Sequence, residues 1–249
     1  KNMLGRTPPH IVAVRPLTDG VISDFEVAEE MVAYLIRKAE SFSKKFLEPR
    51  VVVGVPSGVT NVEARAVYDA VKSGGGRDVY IVEEPMAGAI GIGLPIFEPV
   101  GNMIIDIGGG TTDIALISLG GIVRSKNLKI AGDKLNNDII SYIRNEFKIL
   151  IGEKTAEEIK ISIGAAIQKK PSETVVRGRD LITGLPREVV ITTADVMEAM
   201  GNSIETIIQS AREILETTPP EILSDVMRRG VHVVGGGALI RGFDELLSE

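Results

Sequence analysis

The sequence predicts a duplicated α/β fold in which mixed sheets are flanked by helices. Three features carry this reading: a first hundred residues that read αβαβα, three consecutive strands joined by tight glycine turns after Gly101, and a closing helix–strand–helix. The second half reads βββα, an insertion, then αβα, and the first half follows a similar order without its leading three strands. We therefore expect one lobe over residues 1–100 and a second over 101–249, with an inserted subdomain at about 152–192. No sequence repeat supports the duplication, which rests on element order alone.

In chain order, Ser23-Asp-Phe-Glu26 reads as a capping box, and Val27, Met31, Tyr34, Leu35 and Lys38 follow at helical spacing, giving a helix over about 24–46 stopped by Pro49. Val51 to Val55 is an unbroken apolar run of the kind buried on both faces of a parallel sheet. Thr60-Asn-Val-Glu63 starts a helix that reaches the Gly74-Gly-Gly76 break, Val79 to Val82 is a second buried strand, and Pro85 opens a small-residue helix, Met86 to Gly93. Met103 to Ile107, Asp113 to Leu119 and Ile122 to Ile130 form an antiparallel meander. A helix over about Asp133 to Lys148 follows, then one introduced by the capping box Thr155-Ala-Glu-Glu158, then two strands at Thr174 to Arg177 and Arg187 to Ile191. Helices over Thr193 to Glu216 and Pro219 to Arg229 lead to the strand Val231 to Val234 and a last helix.

Composition removes several classes of function. The 249 residues carry 34 acidic and 28 basic side chains, a net charge of −6, which is no footprint for nucleic acid. There is no cysteine, so disulfides, thiolate nucleophiles and Cys-based zinc sites are excluded and a reducing, cytoplasmic setting is expected. No run of 18 apolar residues and no charged-then-apolar leader is present. The two histidines, His10 beside Pro8 and Pro9 and His232 inside an apolar strand, read as structural, the second as a satisfied core imidazole. Ser57 lies in Gly-x-x-Ser-Gly, the wrong spacing for a nucleophile elbow, and reads as a turn.

The chemistry is concentrated in glycine-rich loops. Asp106-Ile-Gly-Gly-Gly-Thr-Thr-Asp113 returns from strand to strand, unlike a P-loop or a Rossmann turn. Gly108, Gly109 and Gly110 let backbone N–H groups approach an anion, and acids at both ends favour a phosphate cradle over a plain hairpin. In that arrangement Asp106 holds a hydrated Mg²⁺ against the phosphates and Thr111 supplies a hydroxyl. Gly235, Gly236 and Gly237 pass from strand into helix and suit either the close approach of a base or ribose or a simple turn. Glu84 ends a strand at the carboxyl edge, as a solvated acid or as one that orients water; Glu157 and Lys160 read alone as a solvated helix face.

The loop Asp106–Asp113 resembles the second phosphate loop of the actin, Hsp70 and sugar-kinase superfamily. The stretches Val14-Arg-Pro-Leu-Thr-Asp-Gly-Val-Ile22, Val53-Gly-Val-Pro-Ser-Gly-Val-Thr60, Val82-Glu-Glu-Pro-Met-Ala-Gly-Ala-Ile-Gly91, Ile130-Ala-Gly-Asp133, Thr183-Gly-Leu-Pro-Arg187 and Gly235-Gly-Gly-Ala-Leu-Ile-Arg-Gly242 are similar to one branch, the MreB bacterial actins, in order and over essentially the whole chain. The resemblance implies an actin-like (ribonuclease H-like) fold and an ATP-binding protein using Mg²⁺. It further implies polymerisation with itself into paired protofilaments at the inner face of the cytoplasmic membrane, where cell-wall synthesis and cell-shape membrane proteins are partners.

By the same resemblance Glu84 positions the hydrolytic water, Asp106 is the metal-side aspartate, and Gly108 to Thr111 form the cradle. Gly235 to Gly237 make the adenosine loop, Glu157 and Lys160 a pair near the ribose, and Phe46 with Leu47 a small membrane-inserting tip; read without the resemblance, those two cap the core. The family's earlier Asp-x-Gly-Thr loop is absent, the first residue is Lys1 and the last helix stops abruptly, so a chain truncated at both ends and weak in ATP binding is expected. The alternatives in the superfamily are an Hsp70-type chaperone ATPase, disfavoured by Thr112 where Phe is usual, and a sugar or acetate kinase, which lacks a recognisable acceptor signature.

Overall fold

The structure, a computed structural model, describes residues 7–39, 49–167 and 169–248. The hairpin of β1 (Leu17–Thr18) and β2 (Val21–Ile22) turns through Asp19 and Gly20, left-handed at φ 51° and 78°, a conformation that Asp and Gly adopt at low cost. Helix α1 (Phe25–Ala39) is capped by Asp24, whose Oδ1 accepts from the Val27 N–H at 3.1 Å, and not by Ser23. The Ser23 hydroxyl is taken instead by the Arg15 carbonyl, which leaves the carboxylate to meet the helix N-terminus. The rest of the expected helix, with Phe46 and Leu47, lies outside the described residues.

Strands β3 (Arg50–Val55) and β4 (Asp78–Glu83) pair in parallel, linked by α2 (Asn61–Ser73). A reciprocal box of Thr60 and Glu63 starts α2 as expected. Burial of β3 on both faces is not found: Val52 is 68% exposed and Tyr80, its partner on β4, is 54% exposed. An unbroken run of valines reports strand propensity and does not say how many faces are covered. Helix α3 (Glu84–Gly91) begins at the end of β4 and packs Ala89 against Ile104, Ala115 and Ile117 of the next sheet.

That sheet is the meander β5 (Asn102–Ile107), β6 (Thr112–Ser118) and β7 (Gly121–Leu128), with β11 (Val231–Val234) added parallel to β5. Its spatial order is β11-β5-β6-β7. On the face opposite α3, Ile105 and Leu116 meet Leu135 and Ile139 of α4 (Gly132–Phe147) and Ile204 and Ile207 of α6 (Thr193–Glu216). His232 corrects the expectation of a satisfied imidazole, because its Nδ1 is buried without a hydrogen-bond partner. It stands beside Ile104 in the parallel register, a neighbour with no side-chain acceptor to offer.

The expected pair of strands is a sheet of three: β8 (Ile149–Leu150), β9 (Glu173–Asp180) and β10 (Pro186–Thr192), in the order β10-β9-β8. Helix α5 (Glu153–Ile163) starts from Gly152, with the Ala156 N–H on the Gly152 carbonyl at 3.1 Å, so Thr155 sits inside the first turn and does not cap it. Pairing of β8 with β9 fixes where the chain turns, and that tertiary constraint overrides the local box. Helix α7 (Pro220–Arg229), a 3₁₀ turn at Gly236–Leu239 and α8 (Phe243–Ser248) complete the chain. No helix among the described residues is long and apolar enough to cross a membrane.

Candidate functional site

Antiparallel pairing of β5 with β6 sets Asp106 directly opposite Asp113, so both carboxylates share one face beneath the glycine turn. The turn is closed by the Gly108 N–H on the Thr111 carbonyl at 2.9 Å. Asp113 is 1% exposed, and its oxygens accept from the Ser57 N–H and Oγ, both at 2.7 Å, and from Asn127 Nδ2 at 3.0 Å. Ser57 thus serves as a donor that ties the end of β3 to β6. Thr111 is buried, with its methyl beside the Gly20 turn.

Glu84 and Asp106 complete an acidic floor. Burial first, then Asp113 and Asp106, pushes the Glu84 carboxyl from 4.5 up to about 7. Burial followed by Asp113 also raises Asp106. A side chain on Gly54 would meet Glu84 Cγ at 3.2 Å, and one on Gly235 would meet Asp106 Oδ1 at 2.5 Å and the Ile107 carbonyl at 2.4 Å. Gly235, at φ 82°, therefore lets the turn after β11 close onto the acids at the end of β5.

Beside this floor opens a cavity of about 410 Å³, of the size that small-molecule sites occupy. Gly108, Gly109, Glu157, Lys160, Gly236 and Gly237 line it together, although they come from three distant parts of the chain. Glu84, Asp106, Gly110, Thr111 and Gly235 are not on its wall but on the adjoining acid floor and turns. Lys160 Nζ donates to the Gly132 carbonyl at 2.8 Å, and the N–H groups of Gly132 and Asp133 donate to Gly108 and Gly109 at 3.1 and 2.7 Å. The cradle is thereby bonded to the first turn of α4.

Asp133, Ile161, Leu239 and Arg241 also line the cavity, residues to which the sequence reading assigns no role. Ile161 and Leu239 are 73% and 85% exposed, large apolar side chains at a mouth where a flat ring could cover them. Ile161 falls off the buried stripe of α5 formed by Ala156, Ile159 and Ile163, which was the available signal; for Leu239 the sequence carries none. No group of three or more His, Asp or Glu side chains is close enough to cage a metal ion among the described residues. Two half-buried acids with raised affinity for protons nonetheless suit a hydrated Mg²⁺ that takes its remaining ligands from water and phosphate.

The family model for the MreB/Mbl protein matches residues 1–249. The chain is 48% identical over its whole length to the cell shape-determining protein Mbl of Bacillus subtilis, covering 75% of that relative. Its fold superposes on MreB5 of Spiroplasma citri, solved with ADP and with AMPPNP, at a TM-score of 0.92 and 41% identity, covering 98% of this chain and 74% of that one. It also matches a MamK double helical filament at a TM-score of 0.80 over 93% of this chain and 70% of that one, where 24% identity speaks to fold alone.

Proposed function

The chain belongs to the MreB/Mbl family and has its actin-like fold, and from that premise we propose that it binds ATP with Mg²⁺ and polymerises into membrane-associated filaments that organise cell-wall synthesis and rod shape. The observation that carries the nucleotide reading is the convergence of the Gly108-Gly109 turn, Glu157, Lys160 and the Gly236-Gly237 turn on one cavity. In this reading the cradle takes the phosphates, Glu157 and Lys160 the ribose, and Gly235 to Gly237 the adenosine. Bound Mg²⁺ neutralises phosphate charge, with Asp106 holding it through water. Glu84, with a carboxyl near neutrality, accepts a proton from or orients the attacking water.

The solved ADP and AMPPNP complexes of MreB5 support the nucleotide, and self-association rests on membership of the MreB/Mbl family. The two lobes meeting near residue 100, the cytoplasmic setting, and the membrane tip of Phe46 and Leu47 belong to the same proposal. Two inserted side chains at about 1.5 to 3 kcal/mol each give weak attachment per subunit, so stable binding requires many subunits in one filament. Titration calorimetry with Mg-ATP tests the nucleotide reading: weak binding is expected, and the absence of any binding at millimolar ATP overturns it. Liposome co-sedimentation tests the rest: Phe46→Ser with Leu47→Ser should abolish lipid binding by polymerised protein, and unchanged sedimentation contradicts the anchor.

A further inference from the structure

The cavity is lined by the first turn of α4, which carries Asp133, and by the later turns of α5, whose first residue, Glu153, is an acid not itself on the wall. Glu157, on the cavity wall, follows Glu153 one helical turn later, so three carboxylates surround Arg15, two of them lining the cavity. Arg15, from a distant part of the chain, reaches two of them. Arg15 Nη1 donates to Asp133 Oδ2 at 3.4 Å and Nη2 to Glu153 Oε1, across 118 and 138 positions of sequence.

Arg15 is held where it can do this. The Arg15 carbonyl accepts from Ser23 Oγ, and the Pro16 carbonyl accepts from the Ser23 N–H, which fastens the segment to the start of α1. Four residues on, the Asp19-Gly20 turn lies against the cradle: a side chain on Gly110 would come within 3.3 Å of Asp19 Cα, and one on Gly20 within 2.5 Å of Pro56 and 3.1 Å of Thr111. Residues 15–20 thus touch the cradle at Gly110–Thr111 and, through Arg15, both helices of the opposite wall.

We propose that Arg15 is a positioning residue for the nucleotide site, joining Asp133 to Glu153 so that α4 and α5 hold the Gly108–Gly110 turn in place and the acids at the entrance are neutralised. The inference rests on the nucleotide reading for its consequence in binding, but the positioning of the turn is a property of the free protein. Asp133 is coupled to the turn directly, since its N–H donates to the Gly109 carbonyl at 2.7 Å. Loss of the guanidinium therefore frees a wall that is bonded to the cradle and leaves negative charge facing the phosphates.

The test compares wild type with Arg15→Ala, Arg15→Lys, Arg15→Glu and the reversed pair Arg15→Glu with Glu153→Arg. Hydrogen exchange in nucleotide-free protein reads the amides of residues 108–111 and 132–133, and Mg-ATP turnover reads KM and kcat. Arg15→Ala should speed exchange at those amides and raise KM about two- to fivefold, the scale of exposed ion pairs, with kcat unchanged and the KM effect shrinking at high salt. Arg15→Lys should fall between, and the reversed pair should recover most of the exchange protection. Unchanged exchange in Arg15→Ala, or a reversed pair no better than Arg15→Glu alone, overturns the proposal. If wild type fails to bind Mg-ATP, the nucleotide reading falls while the exchange data still decide the role of Arg15.

Discussion

The two sheets nearest the site are built to different standards of burial. In the four-stranded sheet Met103, Ile104, Ile105, Ile114 and Leu116 are fully buried between α3 on one face and α4 and α6 on the other. In the parallel pair β3/β4, Val52, Tyr80 and Ile81 stay exposed, and Val55 is the buried end of an otherwise alternating strand. The acids come from different elements, with Asp106 and Asp113 on the packed sheet and Glu84 at the start of α3, directly after β4 and against Gly54 of β3. The packed sheet is the floor of the site, and Ser57 and Asp113 join the end of β3 to it.

The largest effect should come from breaking the floor. Ile105→Ala should cost about 2 to 5 kcal/mol in urea unfolding, against about 0.5 kcal/mol or less for Val52→Ala. Equal costs would erase the contrast between the sheets. Next, Glu84→Gln should slow hydrolysis about a hundredfold or more with little change in Mg-ATP affinity, because a positioned acid acts on the water and not on the nucleotide. If affinity and turnover fall together, Glu84 is a structural acid at the end of β4. The joint between the two regions comes third: Ser57→Ala removes one hydroxyl donor from buried Asp113 and should destabilise by about 1 kcal/mol, measured by the same unfolding.

A smaller effect separates the acids by pH. Glu84 has its proton affinity raised by folding, so its contribution to stability is full below about 4.5 and is lost as pH rises through about 7. Asp180 runs the other way: the N–H groups of Thr183 and Ile182 and then Arg187 hold its carboxyl down to about 2, so its contribution persists above 3.8 and is lost as pH falls toward 2. In Glu84→Gln the decline in stability between about pH 4.5 and 7 should flatten, while the acid limb stays as in wild type.

How far the sequence carried this depends on the range of the interaction. The helix from Thr193 to Glu216 is read correctly because what sets its span is local, and the structure adds the Thr192 and Asp195 box at its start. The strand Val231–Val234 and the meander are read correctly because the glycine turns that bound them are local too. Thr155 misleads because the pairing of β8, not a hydroxyl, decides where α5 begins. Glycine turns announce the cradle, since close backbone approach leaves a compositional trace. The Arg15 link to Asp133 and Glu153 leaves none, and neither does the burial that raises Glu84.

The central claim is that the acidic floor beneath the cradle receives Mg-ATP. Mg²⁺ held by Asp106 would lie close enough to Glu84 to lower its proton affinity, so at pH near 7, where the free carboxyl is partly protonated, binding should release a fraction of a proton. Calorimetric titration of Mg-ATP in two buffers of different ionisation enthalpy measures that release directly. The account predicts proton release in wild type that largely disappears in Glu84→Gln while binding persists. Proton uptake, or a release of equal size in the variant, would contradict it.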